Sequence, residues 1–240
     1  MGLFKKKNCS ICGGEIGLLG NRKLEDGNLC KDCAKKLSPF FSDRRRSTVE
    51  EIREQLEYRE ANKEKVAAFN TTRTLGSDTK VLLDEDAQLF LVTSSSRWRE
   101  DNPDVMEFSQ VTGCNTEVRE SRTEITWEDE EGNTKSYEPP RYDSDYDVYV
   151  TIHVNTPYFD DIEFQINNFR IEERGSVEFR EAERQANEIR EALTQLHQGV
   201  RANATAANAP KVAVVCSHCG ATTLPDANGC CEYCGGALGV

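Results

Sequence analysis

The chain has 240 residues, 37% of them hydrophobic and 30% charged, and its 42 acidic against 30 basic side chains leave a net charge of −12. That composition allows one ordinary domain with small satellites, and no run of about 18 apolar residues is present to cross a membrane as a helix. No apolar stretch follows the N-terminal lysines as in a secretory signal. Ten cysteines in such a chain point to metal in a reducing, cytoplasmic setting rather than to disulfides. The charge is unevenly spread: residues 1–48 carry 11 Lys/Arg against 5 Asp/Glu, and residues 49–200 carry 17 against 35.

In chain order, residues 1–41 form a first module holding the pairs Cys9/Cys12 and Cys30/Cys33. After Arg44-Arg45-Arg46, Thr48 with Glu51 three residues later is a capping box, which predicts a helix within 47–69. Its apolar stripe of Val49, Ile52, Leu56, Val66 and Phe69 is interrupted by Arg59 and Lys63, so packing is expected only at the two ends.

Within the body, residues 70–198, the signal from about Asn70 to Ile171 changes to period two. Lys80–Leu83 and Gln88–Val92 flank one turn, and Thr123–Glu128 and Thr134–Tyr137 flank another, both reading as hairpins. Glu107–Glu120 adds one or two strands, and Val148–Val154 and Ile162–Ile166 alternate apolar with polar. One face buried and one face wet is expected. Phe179, Ala182, Ala186, Ile189, Leu193 and Leu196 then mark an amphipathic helix from Val177 to Gln198. The fold class is α+β: a small antiparallel β-barrel or sheet closed by this helix and flanked by two zinc-ribbon modules. Residues 199–211 read as a flexible tether, and 212–240 as the second ribbon, with Cys216/Cys219 and Cys231/Cys234.

Each terminus therefore carries two Cys-x-x-Cys clips, separated by 17 residues in the first module and 11 in the second. Four thiolates close the tetrahedral shell of a Zn²⁺ ion, whereas a catalytic zinc keeps one position open. The expectation is two structural Zn²⁺ ions, on Cys9, Cys12, Cys30 and Cys33 and on Cys216, Cys219, Cys231 and Cys234, with no catalytic residue. Four-thiolate iron and disulfides are the alternatives. Gly13, Gly220 and Gly235 follow their clips, as a chain reversal at positive φ favours, while Ala34 follows Cys33 and makes that clip the least typical. Cys230 is spare, His218 reads as an exposed knuckle residue, and Cys114 as a small buried hydrophobe.

The stretch Cys9-Ser10-Ile11-Cys12-Gly13-Gly14 through Leu29-Cys30-Lys31-Asp32-Cys33-Ala34 resembles an uncharacterised bacterial zinc-binding domain-of-unknown-function family, found at the front of small cytoplasmic multi-module proteins. That resemblance implies zinc and no activity. Cys216–Gly236 resembles a generic zinc ribbon. The middle resembles a pleckstrin-homology (PH) or GRAM-type domain in element order alone, which transfers no function.

No nucleotide-binding, serine-hydrolase or zinc-protease motif occurs. His153 reads as a satisfied or solvent-facing residue, Asp143–Asp147 as a solvated acidic loop lacking the later ligands of a calcium site, and Trp98 as half-buried between snorkelling Arg97 and Arg99. The expected function is a non-catalytic, zinc-held adaptor with a protein partner. Two alternatives remain. Nucleic-acid association through Lys5-Lys6-Lys7, Lys35-Lys36 and Arg44-Arg45-Arg46 is opposed by the acidic body. Membrane contact would use Gly2-Leu3-Phe4 and Lys5–Lys7, although Lys6 breaks the acylation pattern.

Overall fold

The computed structural model describes residues 7–207, 213–226 and 229–238. Most of the basic run at Gly2–Lys7 and the last part of the expected tether lie outside the described residues. The chain divides into two compact units, Met1–His197 and Gln198–Val240.

The first unit opens with two short antiparallel hairpins, β1 (Lys7–Asn8) with β2 (Glu15–Ile16) and β3 (Arg22–Lys23) with β4 (Asn28–Leu29), followed by α1 (Lys31–Ala34). Ile16, Leu24, Leu29 and Leu37 bury together with Cys9, Cys33 and Ile52, the last on α2 (Val49–Ala68). This core runs past Phe41, where periodicity ended the module, because Val49, Ile52 and Leu56 of α2 belong to it. The capping box forms: the Thr48 hydroxyl accepts the Glu51 N–H at 3.3 Å, and the Glu51 carboxylate accepts the Thr48 N–H at 2.7 Å. Asp26 also accepts the Val49 N–H at 2.7 Å, fixing the helix start on the first module.

α2 packs along its length rather than at its ends only. Its buried positions are Ile52, Gln55, Arg59, Asn62 and Val66. Within the polar middle, the Arg59 charge and the Asn62 amide are satisfied inside, whereas the buried Gln55 amide has no hydrogen-bond partner among the described residues. Arg59 donates to Asp104 at 2.7 Å and to the Lys36 carbonyl at 3.3 Å, and also to the Asn102 carbonyl. Asp104, 1% exposed, accepts the Ser38 hydroxyl at 2.7 Å as well. Asn62 donates to the Pro103 carbonyl at 2.7 Å and accepts the Val105 N–H at 3.0 Å.

The body holds two antiparallel sheets. β5 (Arg73–Leu75), β6 (Lys80–Asp84), β7 (Leu89–Thr93) and β8 (Met106–Glu107) make one in sequence order. β9 (Val111–Glu128), β10 (Thr134–Val154) and β11 (Asp161–Gln165) make the other, with β10 central. Of the two expected forms, barrel or sheet, the described residues form antiparallel sheets and no closed barrel. A 3-10 turn at Phe108–Gln110 breaks the ladder between β8 and β9, and β9 then pairs with β10 alone. The expectation of one wet face fails on β6 and β7, because Val66 and Phe69 of α2, with Val105, cover Leu82 and Leu91 while Val81, Leu83 and Phe90 bury on the opposite side.

The segment Glu107–Glu120 and the Thr123–Tyr137 hairpin are one continuous ribbon. Beyond Val118↔Val148 its strands pair only with each other among the described residues, as far as Glu128↔Thr134, and expose Ile125 and Trp127. α3 (Trp98–Asp101) links β7 to β8. α4 (Val177–Ala207) buries Phe179, Ala182, Ala186, Ile189 and Leu193, the stripe read from the sequence. It meets both sheets: Phe179 packs edge-on against Tyr146 at 5.8 Å, and Ser77, in the loop between β5 and β6, donates to Gln185 at 3.1 Å. The helix continues through Gly199 to Ala207, where a tether was expected; alanine-rich sequence keeps good helix propensity past the glycine.

The second unit carries β12 (Val214–Val215) paired with β13 (Thr222–Thr223) and two isolated bridges, Pro225↔Cys231 and Cys230↔Ala237. Among the described residues no helix is long and apolar enough to cross a membrane.

Candidate metal centres

Three of the four clips share one local geometry. In Cys9–Gly14, Cys216–Ala221 and Cys231–Gly236 the first cysteine's N–H donates to the carbonyl five residues on, at 2.8, 2.8 and 2.9 Å, and its carbonyl accepts the N–H four residues on, at 2.8 Å in each. Closing that reversal needs a left-handed residue. Gly13, Gly220 and Gly235 supply it with φ of 73°, 75° and 71°.

The fourth clip is built differently, and this explains Ala34. Cys30 leaves β4 and caps α1, its sulfur accepting the Cys33 N–H at 3.3 Å, so Cys33 sits on a helical turn and the next residue is right-handed. The first module therefore pairs one hairpin knuckle with one helical turn, not the two knuckles of the expected ribbon. The second module has two knuckles.

Each clip pair converges. The Sγ atoms of Cys9, Cys12, Cys30 and Cys33 lie within 4.8 Å of one another, as do those of Cys216, Cys219, Cys231 and Cys234. Between clips, Cys12 and Cys30 are 3.8 Å apart, Cys216 and Cys234 3.6 Å, and Cys219 and Cys231 3.7 Å. A disulfide needs about 2.05 Å. A tetrahedron with metal–sulfur bonds of about 2.3 Å has edges of about 3.8 Å. The quartets fit a tetrahedral thiolate-bound ion and not a bridge.

The local electrostatics agree. Burial opposes ionisation of Cys9, but N–H groups of Cys12, Cys30 and Ile11 aimed at its sulfur bring its pKa down to about 6. Cys216 is lowered to about 6 by the N–H groups of Cys219 and His218. Burial and the neighbouring sulfurs push Cys33 up. At Cys234 the Gly236 N–H lowers the pKa, but the Cys219 and Cys216 sulfurs outweigh it and push it up to about 12. One anionic sulfur per quartet repels ionisation of the others, and a central divalent cation would offset that charge so that all four can ligate.

The other sequence candidates are placed apart from the quartets. His218 and Cys230 are not members of the second quartet. Cys114 is 9% exposed, and burial raises its thiol to about 11. His153 is held by Asp161 at 2.5 Å and Asn115 at 2.9 Å on the outer side of the sheet. Asp143–Asp147 lie in strand β10, not in a loop; Asp143 faces Arg170 at 3.1 Å and Asp147 accepts from Gln165 at 2.5 Å. Trp98 packs edge-on against Phe69 at 5.7 Å, with the Arg99 guanidinium 4.0 Å above its ring. Of the arginine run, Arg44 donates to the Lys23 carbonyl at 3.1 Å and Arg46 pairs with Asp43 at 2.5 Å.

Sequence reading missed the Arg59–Asp104 network, which ties the first module to the body. The signal was present. Ile52, Gln55, Arg59, Asn62 and Val66 recur at alternating steps of three and four, the spacing of a buried stripe, but three of the five are polar.

Neither the curated proteins nor the solved structures yield a match to the chain. Residues 7–55, which span the first quartet and the opening turns of α2, match a family described only as a domain of unknown function, DUF4428.

Proposed function

We propose that this chain is a non-catalytic protein-interaction scaffold whose two end modules are each held by a structural zinc ion. The closed four-thiol shell at both sites carries the reading. With four cysteine ligands an ion has no position left for water or substrate, so its contribution is folding energy rather than chemistry. Zinc is favoured over iron by its prevalence in such four-cysteine knuckles. The body, with four strands, three strands and a packing helix, resembles a PH or GRAM-type domain in element order, an analogy that transfers no function. A reducing, cytoplasmic compartment suits reduced thiols.

The test has two readouts on the full chain. Native mass spectrometry should find two zinc ions, falling to one in Cys12→Ser and in Cys219→Ser. Co-purification from the source cell should return a protein that survives a high-salt wash and is lost when a quartet is broken. An iron–thiolate absorption band, fewer than two ions per chain, or the absence of any such protein overturns the reading.

A further inference from the structure

A cleft of about 560 Å³ opens in the first unit between the segment after α1, the start of α2 and the turn joining β10 to β11. Its size falls in the range of ligand sites. Phe40, Phe41, Tyr158 and Phe159 are its aromatic lining. Two ring contacts order that lining: Phe40 meets Phe159 at a centroid distance of 5.5 Å, and Tyr158 meets Tyr58 of α2 at 5.1 Å. The Thr156 hydroxyl bonds both the carbonyl and the N–H of Phe159, at 2.5 and 3.2 Å, so the turn carrying Tyr158 and Phe159 is rigid.

Carboxylates ring these aromatics, and they divide by what they already do. Glu51 is engaged in the capping box, Asp43 pairs with Arg46, and Asp161 pairs with His153. Glu54 and Asp160 are exposed, line the cleft, and have no ion-pair partner among the described residues. The Arg46 guanidinium beside the lining residue Asp43 is already matched by that carboxylate. Burial, and after it the charges of Glu54 and Glu57, raises the Tyr158 hydroxyl.

We propose that this cleft docks a basic peptide segment of a partner protein, with an arginine or lysine over the faces of Phe40 and Tyr158 and its charge met by Glu54 and Asp160. Aromatic walls attract a cation through their ring quadrupoles, most strongly once water is displaced. Two unmatched carboxylates supply the charge complementarity that selects a cationic over a neutral side chain. The proposal deepens the scaffold reading and rests on it, because it names the chemistry of the protein that would be bound.

The test is fluorescence anisotropy of the full zinc-loaded chain with a labelled peptide of alternating leucine and arginine. Its control is the same peptide with citrulline for arginine, which keeps shape and loses charge. The arginine peptide is expected to bind, and the citrulline peptide and the Glu54→Gln/Asp160→Asn variant to lose about tenfold or more. A Glu124→Gln/Glu128→Gln variant removes the same charge from the distal ribbon and should bind like the parent. Equal affinity for both peptides, or equal loss in the ribbon variant, overturns the proposal as general attraction to an acidic protein. Sedimentation that shows a dimer broken by Glu54→Gln/Asp160→Asn would assign the cleft to the Arg44–Arg46 run of a second copy and overturn it too. Each of these failures leaves the zinc count and the co-purification result standing, so failure of the cleft is distinguishable from failure of the scaffold.

Discussion

Replacing Arg59 by methionine should be among the most damaging single changes outside the quartets. Met keeps the stem and helix propensity and removes the guanidinium. The side chains of Arg59 and Asp104 are 8% and 0% exposed, and their atoms lie 2.7 Å apart. Asp104 would keep only the Ser38 hydroxyl, and the Lys36 and Asn102 carbonyls would lose their donor. Breaking a buried pair from one side costs about 3–5 kcal/mol, because the surviving charge stays out of water. Removing both charges, in Arg59→Met/Asp104→Leu, leaves only neutral orphans at about 1–3 kcal/mol, so the double variant should be the more stable of the two. Denaturant unfolding of the zinc-loaded protein reads this out, followed by Trp98 fluorescence in a Trp127→Phe background so that the signal comes from the α2–sheet packing. A loss below about 1 kcal/mol for Arg59→Met, or a double variant worse than the single, would refute the buried-pair account.

Acidification should strip the metal, since the loaded site holds fewer protons than the free thiols and affinity therefore falls with pH; release should steepen below about pH 6, where even Cys9 and Cys216 protonate, as a zinc-sensitive dye would record. Gly220→Ala should cost about 1–2 kcal/mol through its backbone alone, because nothing lies within 4 Å of the added carbon, whereas Gly76→Ala should cost more, since that carbon would meet the Thr79 carbonyl at 2.4 Å; thermal melts of the two variants compare them. Replacing residues 123–143 by an Asn-Gly turn should leave the melting temperature within about 4 °C of the parent, because the segment pairs only with itself and the lost Asp143–Arg170 contact is solvent-screened; a larger fall would show that the distal ribbon supports the body.

What was legible depended on how locally each feature is encoded. Knuckles depend on six residues, so Cys9–Gly14 and Cys216–Ala221 announce themselves, and the α2 capping box is equally local. The α4 stripe was legible because its buried residues are apolar. Arg59 was misread because its burial depends on Asp104, 45 residues away, and no local pattern says that a charge will find a partner. Whether the strands close into a barrel or stay as sheets was left open for a related reason: alternation specifies which face a strand buries, not which edge it pairs with. Alternation persists along β9 from Cys114, which is buried, to Ile125 and Trp127, which are exposed.

Identical ligand sets do not imply identical roles for the two ions. Among the described residues, the apolar core at the second quartet is only Cys216, Cys231 and Leu238, with Val214 partly covered, so two of its three buried apolar groups are themselves ligand candidates. A core of that size cannot offset the conformational entropy of its own chain, at roughly 1–2 kcal/mol per residue, and a bound ion would have to supply the fold. Around the first quartet, Ile16, Leu24, Leu29, Leu37 and Ile52 bury without being ligands. There the ion adds to a core that already reaches α2, and through Arg59 it reaches Asp104 between α3 and β8. Losing the ion at Cys216–Cys234 therefore unfolds one module. Losing a bound ion at Cys9–Cys33 would loosen the seat of α2, and with it Glu54, which lines the acidic cleft, and Tyr58, which packs on Tyr158.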